Sequence, residues 1–166
     1  MKNILYPLCF ALCSLLFMAC PYKSDVALDA KPIQSIKKEV LGVYEKKGSS
    51  SYTYTVEKEN DNIYKFIRTS TSETSKSKPS EYFGFTSTID GETYLQMYRQ
   101  SKYSSKKVYY LYRMSLNKSN TILSLEPLSE HIKEEFTSSK DLRAFIAKYK
   151  DLSFFFGKEE KYYKSE

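Results

Sequence analysis

Val108, Tyr110, Tyr112, Met114 and Leu116 alternate over nine residues with side chains of the opposite set. Period-2 alternation sends one set to each face of a pleated strand. It excludes a helix at that place and sets the frame for the rest. The same pattern recurs along the chain. A first strand begins over Val40–Glu45. Ser51–Glu57 puts Tyr52, Tyr54 and Val56 on one face and Thr53, Thr55 and Glu57 on the other. Ile63–Arg68 follows the polar turn Glu59-Asn60-Asp61-Asn62. Thr69–Ser80 reads as a strand end and a loop. Phe83, Phe85 and Ile89 then lead to Asp90-Gly91, a type I′ hairpin signal because glycine accepts positive φ freely. Thr93–Arg99 runs back, and Ser101–Lys107 is a polar loop. After Val108–Leu116, the turn Asn117-Lys118-Ser119-Asn120 feeds Thr121–Leu125. About seven short strands at this spacing predict an antiparallel meander, sandwich or barrel.

The period then changes. Leu142, Phe145, Ile146 and Tyr149 follow i, i+3, i+4, i+7, and Ser138 stands three residues before Asp141 as a capping box. An amphipathic helix is expected from about Ser139 to Lys150. Its stripe must lie on the sheet, because so short a helix is marginal alone. Leu152, Phe154, Phe155 and Phe156 are expected to continue that packing. A shorter helical turn is expected over Glu130–Phe136, and an exposed polar segment over Gly157–Lys161.

The start of the chain carries a different message. Lys2 precedes an almost wholly apolar run from Ile4 to Met18, which reads as a secretory signal too short to span a bilayer comfortably. Phe17-Met18-Ala19-Cys20 resembles the lipobox of bacterial lipoproteins, with Phe17 where the motif usually has Leu. The resemblance implies cleavage between Ala19 and Cys20, with a diacylglycerol thioether and an N-acyl chain on Cys20. Cys9 and Cys13 lie in the removed run, so the mature chain keeps a single cysteine and has no internal disulfide. Removing residues 1–19 takes one base and no acid, and the net charge falls from +6 to +5. The expected division is a signal over 1–19, a lipidated tether over 20–35, and one β domain with a carboxy-terminal helix over 36–166. Pro21, in place of the Asp that marks inner-membrane retention in some bacteria, favours the outer membrane.

Catalytic signals are sparse. Trp is absent and His131 is the single imidazole, so a multi-histidine centre within one chain is excluded. His131 lies in the charged stretch Ser-Glu-His-Ile-Lys-Glu-Glu, which suits a solvated side chain. No nucleophile elbow, phosphate loop, zinc motif or paired-cysteine motif occurs. Glu134-Glu135 and Glu159-Glu160 are adjacent pairs that point apart and read as solvated charges. Carboxylates brought together from distant strands stay open as a second reading. The basic pairs Lys37-Lys38, Lys46-Lys47 and Lys106-Lys107 suit a soluble charged surface or an affinity for anionic headgroups. Export argues against nucleic acid as a partner. Asn117-Lys118-Ser119 matches a glycosylation sequon and reads equally as a hairpin turn.

Aromatic residues make up 16% of the chain, with 16 tyrosines and 10 phenylalanines. Tyrosine suits half-wet β faces, packing a ring while its hydroxyl finds a partner. These rings serve either sheet packing or a barrel mouth that holds an apolar ligand. Leu41-Gly42-Val43-Tyr44 resembles the opening Gly-x-Trp signature of lipocalins, with Tyr44 at the Trp position, and the order of a meander followed by a helix is similar. Cys20-Pro21-Tyr22-Lys23-Ser24-Asp25-Val26 followed by that strand resembles uncharacterised lipoproteins of Gram-negative, Bacteroidota-type bacteria. The resemblance implies a lipocalin-like up-and-down barrel of about seven to eight strands, and an envelope address with no established activity. Only Cys20 carries over as a site residue. The expected function is a non-catalytic, membrane-anchored module that binds or shields a small apolar molecule or lipid. The alternative is an interaction subunit of an envelope complex.

Overall fold

In a computed structural model, residues 21–72, 78–101 and 104–165 are described. The signal over 1–19, the Ala19–Cys20 cleavage site and the acylation site Cys20 lie outside them, as do parts of the two loops expected over 69–80 and 101–107.

The chain is mainly β. Its strands are β1 (Lys23–Ser24), β2 (Gly42–Lys46), β3 (Ser49–Lys58), β4 (Tyr64–Ser70), β5 (Ser80–Ile89), β6 (Glu92–Tyr98), β7 (Tyr109–Leu116), β8 (Ile122–Pro127) and β9 (Glu160–Lys164). A 3₁₀ turn spans Lys38–Val40, and the helix α1 spans Ser139–Tyr149. Strands β2 to β8 form an antiparallel meander in chain order. Strand β9 then pairs with β8 on one side and β2 on the other, which closes an eight-stranded barrel. This is the expected lipocalin-like architecture, with β1 added outside against the start of β7. Closure leaves no open sheet edge around the wall, which removes the usual template for edge-to-edge association.

Local chemistry explains the turns. Asp90 and Gly91 both take positive φ, 49° and 82°, and β5 and β6 meet with Ile89 opposite Glu92, as a type I′ hairpin requires. The β7–β8 turn is organised by Asn117, whose Oδ1 accepts from the amides of Thr121 at 2.8 Å and Ile122 at 2.9 Å. In α1, the Asp141 amide donates to Ser138 Oγ at 3.2 Å, satisfying one orphan donor of the first turn.

Two cores follow from strand alternation. The inner one packs inside the barrel and comprises Tyr44, Val56, Tyr64, Leu95, Met114, Leu123 and Leu125 with Val40. The outer one lies between α1 and the outward faces of β5 to β7, and includes Ile89, Tyr94, Leu111, Leu142, Ile146 and Phe155. Strand β6 is therefore buried on both faces, from Tyr94 to Gln96 without a break. Each large side chain fully buried in this way contributes roughly 1.5–3 kcal/mol.

Several expectations are corrected. The stretch 20–35, expected as a tether, is folded from its first described residues: Tyr22 is 7% and Leu28 0% exposed. It is fixed by polar contacts that leave no periodic trace. The Leu28 amide donates to Gln96 Oε1, Gln96 Nε2 donates to Ser87 Oγ at 2.6 Å, and Ser87 Oγ donates to Asp29. Arg143 of α1 completes the chain, 2.9 Å from Asp29. Of residues 157–161, expected as an exposed polar segment, Lys158, Glu159 and Lys161 are exposed, but Glu160 and Lys161 open the eighth wall strand and Glu160 is half-buried. Helix α1 precedes that strand instead of ending the fold. Glu130–Phe136 forms only a short turn, in which the Ile132 amide donates to the Ser129 carbonyl. Leu152 and Phe154 are 41% and 65% exposed, because the turn after α1 swings them outward, and only Phe155 and Phe156 pack.

Candidate functional site: the barrel cavity

The barrel has a closed end and an open end. At the closed end, residues Ile36–Leu41 cross the floor. Val40 is buried there, Tyr44 donates its hydroxyl to the Val40 carbonyl at 2.9 Å, and the Lys37 amide donates to the Tyr64 hydroxyl at 2.7 Å. The resembled Gly-x-Trp position is thus occupied by a tyrosine that pins the floor. Lys164 adds a third tie, donating to the Glu39 carbonyl at 3.0 Å.

Above this floor lies a cavity of about 530 Å³. Its deep wall is apolar, built from Val56, Phe66, Met97, Leu123 and Leu125. Gly84 of β5 makes room there, since a Cβ at that position would stand 3.2 Å from the Phe66 ring and 3.1 Å from the Gln96 carbonyl. Nearer the mouth the lining becomes polar and aromatic, with Tyr54, Tyr82, Tyr110, Tyr112, Tyr162, Lys46, Arg68 and Glu160. Pro21, the first described residue, also lines it.

Lys46 and Glu160 form an ion pair at 2.6 Å, and the Tyr162 hydroxyl donates to the other Glu160 oxygen at 2.6 Å. Burial alone would raise the Glu160 carboxyl, but the hydrogen bonds from Lys46 and Tyr162 and the Lys46 charge outweigh it and hold the carboxyl below its ordinary 4.5. The tyrosines move the other way. Burial, then the Glu160 charge, pushes Tyr112 up. Burial and the bond to Glu160 do the same for Tyr162. Tyr54 packs edge-on against Tyr162 with ring centroids 5.0 Å apart, and it too is raised by burial, partly offset by Lys46 and Arg68. These phenols stay protonated. The Tyr162 proton is committed to Glu160, whereas Tyr54 and Tyr112 can donate to an acceptor on a bound molecule. Arg68 rests 4.8 Å from the Tyr52 ring and makes no ion pair with a described residue.

The sequence-flagged residues separate clearly. His131, Glu134 and Glu135 are exposed, as expected. Glu159 lies near Ser124 and Lys161 outside the wall, whereas Glu160 turns inward. Glu160 was expected as a solvated charge and is half-buried, because its strand is part of the wall. Arg68 was missed altogether, since one arginine in an alternating strand carries no signal until the strands are wrapped. Asn117 shapes a turn. Among the described residues no group of three or more His, Cys, Asp and Glu could hold a metal ion, and no helix is long and apolar enough to cross a membrane.

A larger groove of about 810 Å³ runs beside the closed end past Arg113, Glu92 and Glu126. Its Arg113, Glu92 and Glu126 satisfy one another, with Arg113 2.7 Å from Glu126 and 3.3 Å from Glu92. It lacks the apolar depth of the barrel cavity, which is the better candidate. No family model, no curated protein and no solved structure matches this chain.

Proposed function

We propose that the chain is a non-catalytic, membrane-anchored module that binds or shields a small apolar molecule or lipid inside its barrel. The observation that carries this reading is the 530 Å³ cavity with an apolar depth and a tyrosine-rich mouth. Sites for small ligands span roughly 300–1,000 Å³, mostly apolar with a few polar groups. A hydrocarbon chain entering the depth removes CH₂ groups from water at about 0.8 kcal/mol each. Phenol hydroxyls at the mouth would hold its polar end.

The test is a titration of the chain beginning at Pro21, which contains every described element, with a fluorescent fatty acid. Saturable binding is expected, weakened at least tenfold by Met97→Trp, which fills the cavity. Saturable binding indifferent to Met97→Trp would place the ligand elsewhere and defeat the reading.

The anchor is the second half of the proposal. Its support is the position of Cys20 directly after a small residue at the end of the apolar run. The diacylglycerol and N-acyl chains on Cys20 would hold the barrel to the outer membrane of a Bacteroidota-type envelope, since two or more chains give stable anchoring. Palmitate labelling should vanish in Cys20→Ala.

One observation favours the alternative of a protein-interaction subunit. Phe154 and Leu152 stand exposed around a hollow of about 270 Å³ with Ile132, Phe145 and Tyr149. An apolar side chain of an envelope partner would fit there. Phe154→Ser would abolish such an association and leave fatty-acid binding intact.

A further inference from the structure

Five cations at the open end of the barrel lie over tyrosine rings. Lys23 is 5.9 Å from the Tyr110 centroid, Lys47 5.8 Å from Tyr163, Arg68 4.8 Å from Tyr52, Arg99 5.9 Å from Tyr82 and Lys107 4.2 Å from Tyr98. They come from five separate segments: β1, the β2–β3 turn, the end of β4, the end of β6 and the entry to β7. The barrel alone brings them to one rim.

None of the five makes an ion pair with a described residue, whereas Lys46, Lys58, Lys65, Arg113 and Arg143 all do. A ring face holds a cation in place without neutralising it. Lys23, Lys47, Arg99 and Lys107 are also exposed, so their charge is available to a partner. Tyrosine beside Lys or Arg is the composition that settles at a membrane–water interface, the ring among headgroups and the cation on phosphate. Tyr98 is itself buried and serves only to hold Lys107 in place. The closed end has a different character. Its turns carry Glu57, Glu59, Asp61 and Asp90 alongside Lys37, Lys38 and Lys118, so acids and bases are mixed there, and Lys58 is bound by Asp61 at 2.6 Å.

We infer that the open rim is a docking face for an anionic lipid bilayer, with the five tyrosine-backed cations on headgroup phosphates and the cavity mouth turned toward the acyl region. Pro21 lines that mouth, so an anchor on Cys20 would hold the same face to the membrane. The docking deepens the reading of the barrel as a lipid holder, because it gives the cavity a direct source of lipid. Its charge logic stands without the anchor.

The experiment is cosedimentation of the chain beginning at Pro21 with vesicles, which removes the anchor from the question. Binding to phosphatidylglycerol vesicles is expected, with little to phosphatidylcholine, and it should weaken as salt rises. Each cation near an anionic surface is worth roughly fivefold in affinity, so Lys47→Gln, Arg99→Gln and Lys107→Gln together should weaken binding about a hundredfold. Lys37→Gln, Lys38→Gln and Lys118→Gln make the same change in net charge at the closed end and should leave it within about threefold, since they lie beyond the screening length from the docked face. Equal losses in both triple variants, or no preference for phosphatidylglycerol, would overturn the inference. Met97→Trp should keep vesicle binding while losing fatty-acid uptake, so docking and cavity binding fail separately.

Discussion

Lys46 Nζ lies 2.6 Å from Glu160 Oε1, an ion pair that joins the first and last strands of the barrel wall across the line of closure. The two residues are 114 positions apart in the chain. The pair sits in the cavity mouth, so it belongs at once to the closure of the fold and to the lining of the site. Tyr162 donates to the same carboxylate, which leaves Glu160 well provided with donors.

The first prediction concerns this pair and pH. The Glu160 carboxyl is held below its ordinary 4.5 in the folded state. A depressed carboxylate contributes stability that is present above the unfolded value and lost as pH falls through the folded one. Lys46→Met should therefore destabilise the barrel at pH 7, by about 1 kcal/mol or less given the partial exposure of both partners. The difference from the parent should shrink as pH falls below 4.5. Urea unfolding at a series of pH values measures it, and a constant difference down to strongly acid pH would contradict the assignment.

The floor of the barrel gives a second prediction. Tyr44 and Tyr64 are each 1% exposed and bond to the crossing segment through the Val40 carbonyl and the Lys37 amide. Tyr44→Phe and Tyr64→Phe keep the rings but leave those backbone groups unpaired, and each should cost about 1–3 kcal/mol. Thermal unfolding reads this directly. Unchanged midpoints in both variants would mean that the floor segment is not held as described.

Helix α1 supplies a third. Ile146 is fully buried against the sheet, and Ile146→Ala should destabilise by about 2–5 kcal/mol through lost contacts and the cavity left behind. Ser138→Ala removes the cap and should cost about 1 kcal/mol. A loss at Ile146 no larger than that at Ser138 would mean that the helix is loosely docked.

A fourth prediction addresses residues 22–29. Gln96 is fully buried, with its side chain shared between the Leu28 amide and Ser87. Gln96→Ala strips the Leu28 amide of its acceptor. Hydrogen exchange should then accelerate at Leu28 well before it does in the central wall strands, because the segment is released locally. Uniform acceleration along the whole chain would instead mark a global effect.

The strands legible in the sequence are those whose inward and outward faces differ. From β3 to β8, alternation and turn residues locate each strand to within a few residues. Asp90-Gly91 and the Ser138 cap follow from backbone chemistry that acts locally, so they are readable without tertiary context. Strand β9 was not legible. Its inward residues are Glu160, Tyr162 and Lys164, which resemble a solvated tail until Lys46 and the barrel wall surround them. The same holds for Tyr22 and Leu28, whose place depends on Gln96 far along the chain. In the site, the abundance of tyrosine was visible, but its convergence with Arg68, Lys46 and Glu160 is a property of closure and of no local spacing.

The central claim is that the barrel holds a small apolar molecule, and native mass spectrometry of the gently released protein tests it most directly. The parent should carry a bound small molecule, and Met97→Trp should carry less or none. A bare mass for the parent in several preparations would contradict the account.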